Sequence, residues 1–168
     1  TTASNNTAVG YEALTANTTG TNNVALGTQA LLTNQTGASN VGLGFATLEF
    51  NTTGNQNTAV GSLALDANTT ADNNTAVGFK SLYANTTGCQ NTGIGAYSLM
   101  DVTTGCQNVG VGYGSGANIT TGLCNTAIGH NSLNTNTTGD NNVAVGREAM
   151  YCNTTANNNT CLLYTSDA

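Results

Sequence analysis

Cys89 and Cys106 lie seventeen residues apart, and Cys124 follows eighteen residues further on. Three thiols fall short of the four Cys or His ligands of a structural zinc site, and the lone His130 keeps a different spacing, so no metal site is expected. If successive seventeen-residue units stack at about 4.8 Å, Cys89 and Cys106 come within the roughly 4.4–6.8 Å Cα range of a disulfide. The parallel side-chain directions of such a ladder make the dihedral awkward. Two readings stand: a vertical bridge, or a pair of stacked free thiols. The carboxylates Glu12, Glu49, Asp66, Asp72, Asp101, Asp140 and Glu148 spread over four positions of the unit with no facing pair evident. They are expected to be solvated charges that keep the molecule soluble. No G-x-x-x-x-G-K phosphate loop occurs among the glycines. Neither catalysis nor a cofactor is expected.

Other residues could contact a partner. The position after a recurrent glycine reads Tyr11, Thr28, Phe45, Ser62, Phe79, Ala96, Tyr113, His130, Arg147. Its four aromatics would fall on alternate units, about 9–10 Å apart at regular stacking. They form a strip for sugar stacking or partner docking, or they pack against a neighbouring chain or fill a corner. His130 and Arg147 end this candidate contact strip as surface substitutions. Thr18-Thr19 recurs in every unit, with Gln35 replacing the first Thr once. Threonine ladders order water in some ice-binding solenoids, but adjacent threonines cannot both face one side of a strand; in a turn they bond backbone groups. Asn17, Asn51, Asn68, Asn85, Asn136 and Asn153 each begin an N-T-T glycosylation sequon, read as a by-product of the turn.

The elements that must carry these residues follow from one period. Asn6, Asn23, Asn40, Asn57, Asn74, Asn91, Asn108, Asn125 and Asn142 are each seventeen residues from the last, as are Gly10, Gly27 and their successors to Gly146. Nine complete repeats run from Asn6 to Asn158 without insertion or deletion, and Thr1–Asn5 fits the tail of an earlier one. A strict short period means that every repeat does the same structural job. Seventeen residues rich in Thr, Asn and Gly suit no helical hairpin. The unit has a short β-branched run, Thr7–Val9, and an apolar patch, Ala13–Leu14, separated by turn residues. The prediction is an all-β, single-stack parallel β-solenoid spanning residues 1–160, with one repeat per coil and a rod of roughly 40 Å.

Two apolar columns, one from Val9 to Val145 and one from Leu14 to Met150 broken at Gly116, are expected to point inward. Ala8 and its equivalents in the other repeats are always Ala or Gly, which suggests close approach of another backbone, across the coil or from another chain. The Asn6 column is expected to bond turn backbone groups coil after coil.

Composition excludes several functions. Charged residues make up 6% of the chain, and Lys80 and Arg147 are its only strong bases, so no cationic footprint exists for nucleic acid or anionic lipid. No apolar run reaches the roughly 18 residues of a membrane helix.

The segments Asn6-Thr-Ala-Val-Gly10, Asn125-Thr-Ala-Ile-Gly129 and Asn142-Val-Ala-Val-Gly146 resemble the head repeat of trimeric autotransporter adhesins of the YadA type, the haemagglutinin repeat. The longer form, with its leucine and N-T-T-G turn, is similar to arrays in bacterial surface proteins and phage tail-fibre-like proteins. The resemblance covers Thr1 to Thr160. It implies a left-handed β-roll, three chains side by side, an extracellular or virion-surface location, and binding of host glycan or matrix protein. The unit is longer than in the best-known heads, so the coil outline is expected to differ. Cys161 to Ala168 departs from the pattern and resembles a translated sequencing-library adaptor, so residues 161–168 are expected not to be native and the array to be an internal fragment. The functional expectation is a structural and adhesive fibre segment. Its alternatives are a pure spacer shaft of a tail fibre and an ice-binding solenoid.

Overall fold

The computed structural model describes residues 2–163; the end of the adaptor-like string, residues 164–168, lies outside them. Each coil contributes one three-residue strand, beginning with β1 (Thr7–Val9), β2 (Val24–Leu26) and β3 (Val41–Leu43). The series continues through β4 (Thr58–Val60), β5 (Thr75–Val77), β6 (Thr92–Ile94) and β7 (Val109–Val111). It closes with β8 (Thr126–Ile128), β9 (Val143–Val145) and β10 (Thr160–Leu162). All ten pair in parallel and in sequence order, so each residue faces its counterpart one repeat along, as Thr58 faces Thr75. The fold is a β-solenoid, and among the described residues it contains no helix. In β10, Cys161 pairs with Ala144 and Leu162 with Val145. Ladder bonds use the main chain and need no particular side chain there.

The interior corrects one expectation. Ala25, Ala59, Ala76, Ala127 and Ala144, at the centre of their strands, are fully buried, whereas Val9, Leu26, Leu43, Ile94 and Ile128 are exposed by 39–57%. The Val9 column therefore faces out. A coil of seventeen residues encloses too little width for branched side chains on both walls, and the leucine column takes the space: Leu31, Leu48, Leu65, Leu82, Leu99 and Leu133 are fully buried. The small strand residue meets the opposite wall of its own solenoid. A methyl on Gly93 would lie 2.5 Å from Ser81 Oγ, and one on Gly110 2.6 Å from Ser98 Oγ. Each glycine at this position faces a hydroxyl, Thr47 in the case of Gly42, which occupies the space a methyl would take.

Corners close the coil. Leucines of the core column adopt φ between 49° and 54° at these turns, for instance Leu48 at 52° and Leu133 at 49°. This left-handed geometry costs an L-residue roughly 1–2 kcal/mol, which complete burial of the leucine offsets at about 1.5–3 kcal/mol. The Gly10 column admits no substitute. Gly78 has φ 130°, and a Cβ there would meet Gly95 C at 2.6 Å, because backbone stacks directly on backbone.

Asparagine amides line the rest of the interior. Asn40 shows the recurrent pattern: its N–H donates to Asn23 Oδ1 at 2.9 Å and its Nδ2 to Gly54 O at 2.8 Å. The same two bonds recur at Asn23, Asn57, Asn74, Asn91, Asn108, Asn125 and Asn142. Asn6 begins this ladder, accepting from Asn23 N–H and donating to Gly20 O. A second amide ladder climbs from Asn17 to Asn85, each Nδ2 donating to the Oδ1 one coil before it at 2.7–3.1 Å.

Candidate interaction surface

Two outward features share one side of the rod. The sheet's outer face carries Thr or Val at the first strand position and Val, Leu or Ile at the third, two apolar-leaning columns along its whole length. One residue beyond each third position lies the Gly10-type corner, and the next residue belongs to the aromatic strip. Tyr11 is 70% exposed, Phe45 50%, Phe79 40% and Tyr113 53%; His130 and Arg147 are exposed as well. Arg147 turns aside to Glu148, with Nη2 3.2 Å from Oε1.

The spacing of the strip differs from the sequence expectation. Tyr97 reaches across from the neighbouring position and fills the gap at Ala96. Its ring sits 5.4 Å from Phe79 and 5.5 Å from Tyr113, edge-on to both. Tyr113 then stacks on His130 at 5.4 Å with the planes 11° apart. Four rings on four consecutive coils thus replace aromatics on alternate coils. Tyr11 and Phe45 stand separately at the N-terminal end, divided by Thr28 and Ser62. Lys80 lies over Phe79 at 5.6 Å and Tyr83 at 5.0 Å, two cation–π contacts of the kind worth about 0.5–1 kcal/mol at exposed sites. Column reading overlooks Tyr97 because its contacts run diagonally between coils, and Lys80 and Tyr83 because theirs lie within one coil. Tyr97 follows Phe79 by eighteen residues and precedes Tyr113 by sixteen, and those offsets are the signal that finds it.

A second correction concerns the acids. Glu49 and Asp66 differ by seventeen residues and occupy one column on successive coils. Asp66 is 6% exposed and its Oδ1 has no hydrogen-bond partner. Burial pushes its carboxyl up to about 6; the Glu49 carboxylate adds to the rise and the Lys80 ammonium opposes it. Asp101 is also raised, by burial, and a hydrogen bond with Glu12 raises the exposed Tyr11 phenol. Among the described residues no three His, Cys, Asp or Glu side chains gather as a metal site would need.

The threonine and asparagine turns are occupied with structure. Thr18, Thr52, Thr69, Thr86, Thr103, Thr120 and Thr137 donate their hydroxyls to carbonyls one coil along at 2.9–3.2 Å. Those hydroxyl protons are spent within the rod. Of the sequon asparagines, Asn51, Asn68, Asn85 and Asn136 are fully buried with their amide nitrogens bonded, so no glycan can reach them in the folded rod. Comparison with known proteins finds no family model that matches this chain, no matching curated protein and no matching solved structure.

Proposed function

We propose that this chain is a segment of a cell-surface or virion fibre, and that copies of it assemble side by side, as a homotrimer, into a rigid rod that presents a surface for attachment. The observation that carries this reading is the outer sheet face, whose two uncharged columns run the full length of the solenoid. Exposed apolar area on that scale, in register and nearly free of charge, fits burial against another rod better than contact with water. The resemblance of the N-T-A-V-G core to adhesin head repeats supports the same reading. Sedimentation of the purified chain tests the assembly: a trimer that Val77→Lys and Val111→Lys reduce to monomer is expected, and a monomer at all concentrations overturns it. Attachment is tested with a trimer held by a fused trimerisation domain, probed on glycan arrays and matrix proteins.

One observation favours the spacer alternative. Tyr113 and His130 turn their ring faces to one another, which leaves those two faces unavailable for stacking on a sugar. If the trimer binds neither glycan nor matrix protein while the intact fibre attaches through another domain, the rod is a spacer.

A further inference from the structure

Along one edge of the solenoid, the backbone N–H donates upward to the side chain of the next coil wherever that side chain offers an amide or carboxylate oxygen. Ala38 N–H meets Asn55 Oδ1 at 2.9 Å, Asn55 N–H meets Asp72 Oδ1 at 2.6 Å, and Leu123 N–H meets Asp140 Oδ1 at 2.8 Å. In the middle of this column Cys106 Sγ takes the place of the oxygen and accepts Cys89 N–H at 3.0 Å. That bond folds the Cys106 side chain down onto the preceding coil, overcoming the parallel ladder direction that would keep two stacked thiols apart. Cys106 Sγ consequently lies 3.0 Å from Cys89 Sγ. Cys124 is excluded from the pair; it stands one position along and donates to Gln107 Oε1 at 3.2 Å.

The same two coils hold the point at which the inner amide ladder ends. Val102 replaces the asparagine that would donate to Asn85, and Asn85 Oδ1 is left buried without a partner. Asn85 and Val102 precede Cys89 and Cys106 by four residues each. The thiol pair therefore spans the joint at which the polar stitching between coils is interrupted.

We propose that Cys89 and Cys106 form a dithiol site that a small-molecule disulfide oxidises to an intramolecular bridge, stapling the solenoid across this break. Cys106, as thiolate, attacks the reagent's disulfide and forms a mixed disulfide, releasing one reagent thiolate. Cys89, as thiolate, then attacks the Cys106 sulfur and expels the second. Two protein thiols lose two electrons and two protons, and one reagent disulfide becomes two thiols. The hydrogen bond to Cys106, with burial, pushes the Cys89 thiol up, which disfavours it as the first attacking thiolate.

The test treats the reduced full chain carrying Cys124→Ser with oxidised glutathione, alkylates the remaining thiols, and digests with trypsin and an enzyme that cuts before Asp. Cleavage after Lys80 and before Asp101 and Asp140 places Cys89 in peptide 81–100 and Cys106 in peptide 101–139. The two peptides are expected to be linked, with a thermal midpoint several degrees higher that returns to its starting value on reduction. Cys106→Asp, which restores the acceptor that Asp72 and Asp140 supply elsewhere, is expected to fold with neither link nor shift. Recovery of both cysteines alkylated, glutathione retained on either sulfur, or bridges only between chains overturns the proposal.

Discussion

The interior is built in two ways. From Asn17 to Asn85 the inner corner is a continuous ladder of asparagine amides, each bonded to the coil before it. In the next two coils Val102 and Ile119 occupy that corner, fully buried, and the leucine column is interrupted at Gly116. The interruption is filled from the side: a Cβ on Gly116 would meet Ile119 Cδ1 at 3.0 Å and Leu99 Cδ2 at 2.8 Å. One coil thus exchanges a leucine and an asparagine for a glycine and an isoleucine, and the isoleucine side chain turns into the space the leucine leaves. The comparison teaches that the amide ladder is dispensable coil by coil, but that each exchange leaves a joint. A head-to-tail ladder ends in a free acceptor, and here that acceptor is Asn85 Oδ1. Substitution can move this oxygen along the rod, whereas Asn136, where the amides resume, accepts the N–H of Gly139 in its own turn.

The largest effect is expected where the apolar coil is forced back to the polar pattern. Ile119→Asn empties the space beside Gly116 and buries an amide above Val102, which offers no oxygen. A loss of about 3–5 kcal/mol is expected in thermal or urea unfolding followed by circular dichroism. Breaking the ladder at its middle is next. Asn51→Val strands Asn34 Oδ1 while Asn85 Oδ1 remains unpaired, for a loss of about 1–3 kcal/mol by the same measurement. Gly54 O keeps its bond from Asn40, which limits the damage.

The third prediction turns on pH and the acid beside the polar ladder. The folded-state pKa of Asp66 is raised from 3.8 to about 6, so the folded state holds a proton that the unfolded chain releases. The contribution of the protonated acid is fully present below about pH 4 and is lost as pH rises through 6. Asp66→Asn is expected to stabilise the rod by about 1–3 kcal/mol above pH 6 and to change little below pH 4. Equal effects at both ends of a pH series of unfolding midpoints would contradict this assignment. The smallest effect is expected from Asn85→Val. It moves the unpaired oxygen one coil down, to Asn68, while Gly88 O keeps its bond from Asn74. A change within about 1 kcal/mol is expected; a cost matching that of Asn51→Val would mean that the joint has no special standing.

Much of this architecture is legible in the sequence because one period governs it. Parallel pairing in register and the buried leucine column follow from counting residues. The orientation of the strands does not. In Thr7-Ala8-Val9 the flanks are bulky and the centre small, and the rule that bulky apolar residues point inward selects the wrong face. That rule presumes an interior wide enough to receive valine on one wall and leucine on the other. Width emerges only once the coil is closed. The Glu49–Asp66 pair, by contrast, was readable from its interval, whereas its burial depends on how the corner folds over it. The aromatic strip lies between these cases: its column is visible by period, but the ring that completes it comes from an adjacent column.

A last consequence follows from the repeated vertical bonding, in which most hydrogen bonds between coils span fourteen to eighteen residues. Excising any seventeen consecutive residues within the array rejoins two coils with the same backbone ladder and the same corner glycines. In a gene this is the loss of fifty-one base pairs, an event that preserves the reading frame, the register and the face on which every side chain stands. Such a gene can shorten or lengthen its product in steps of about 4.8 Å by recombination between its own repeats. Length then becomes an inherited quantity that can change without redesign of the fold.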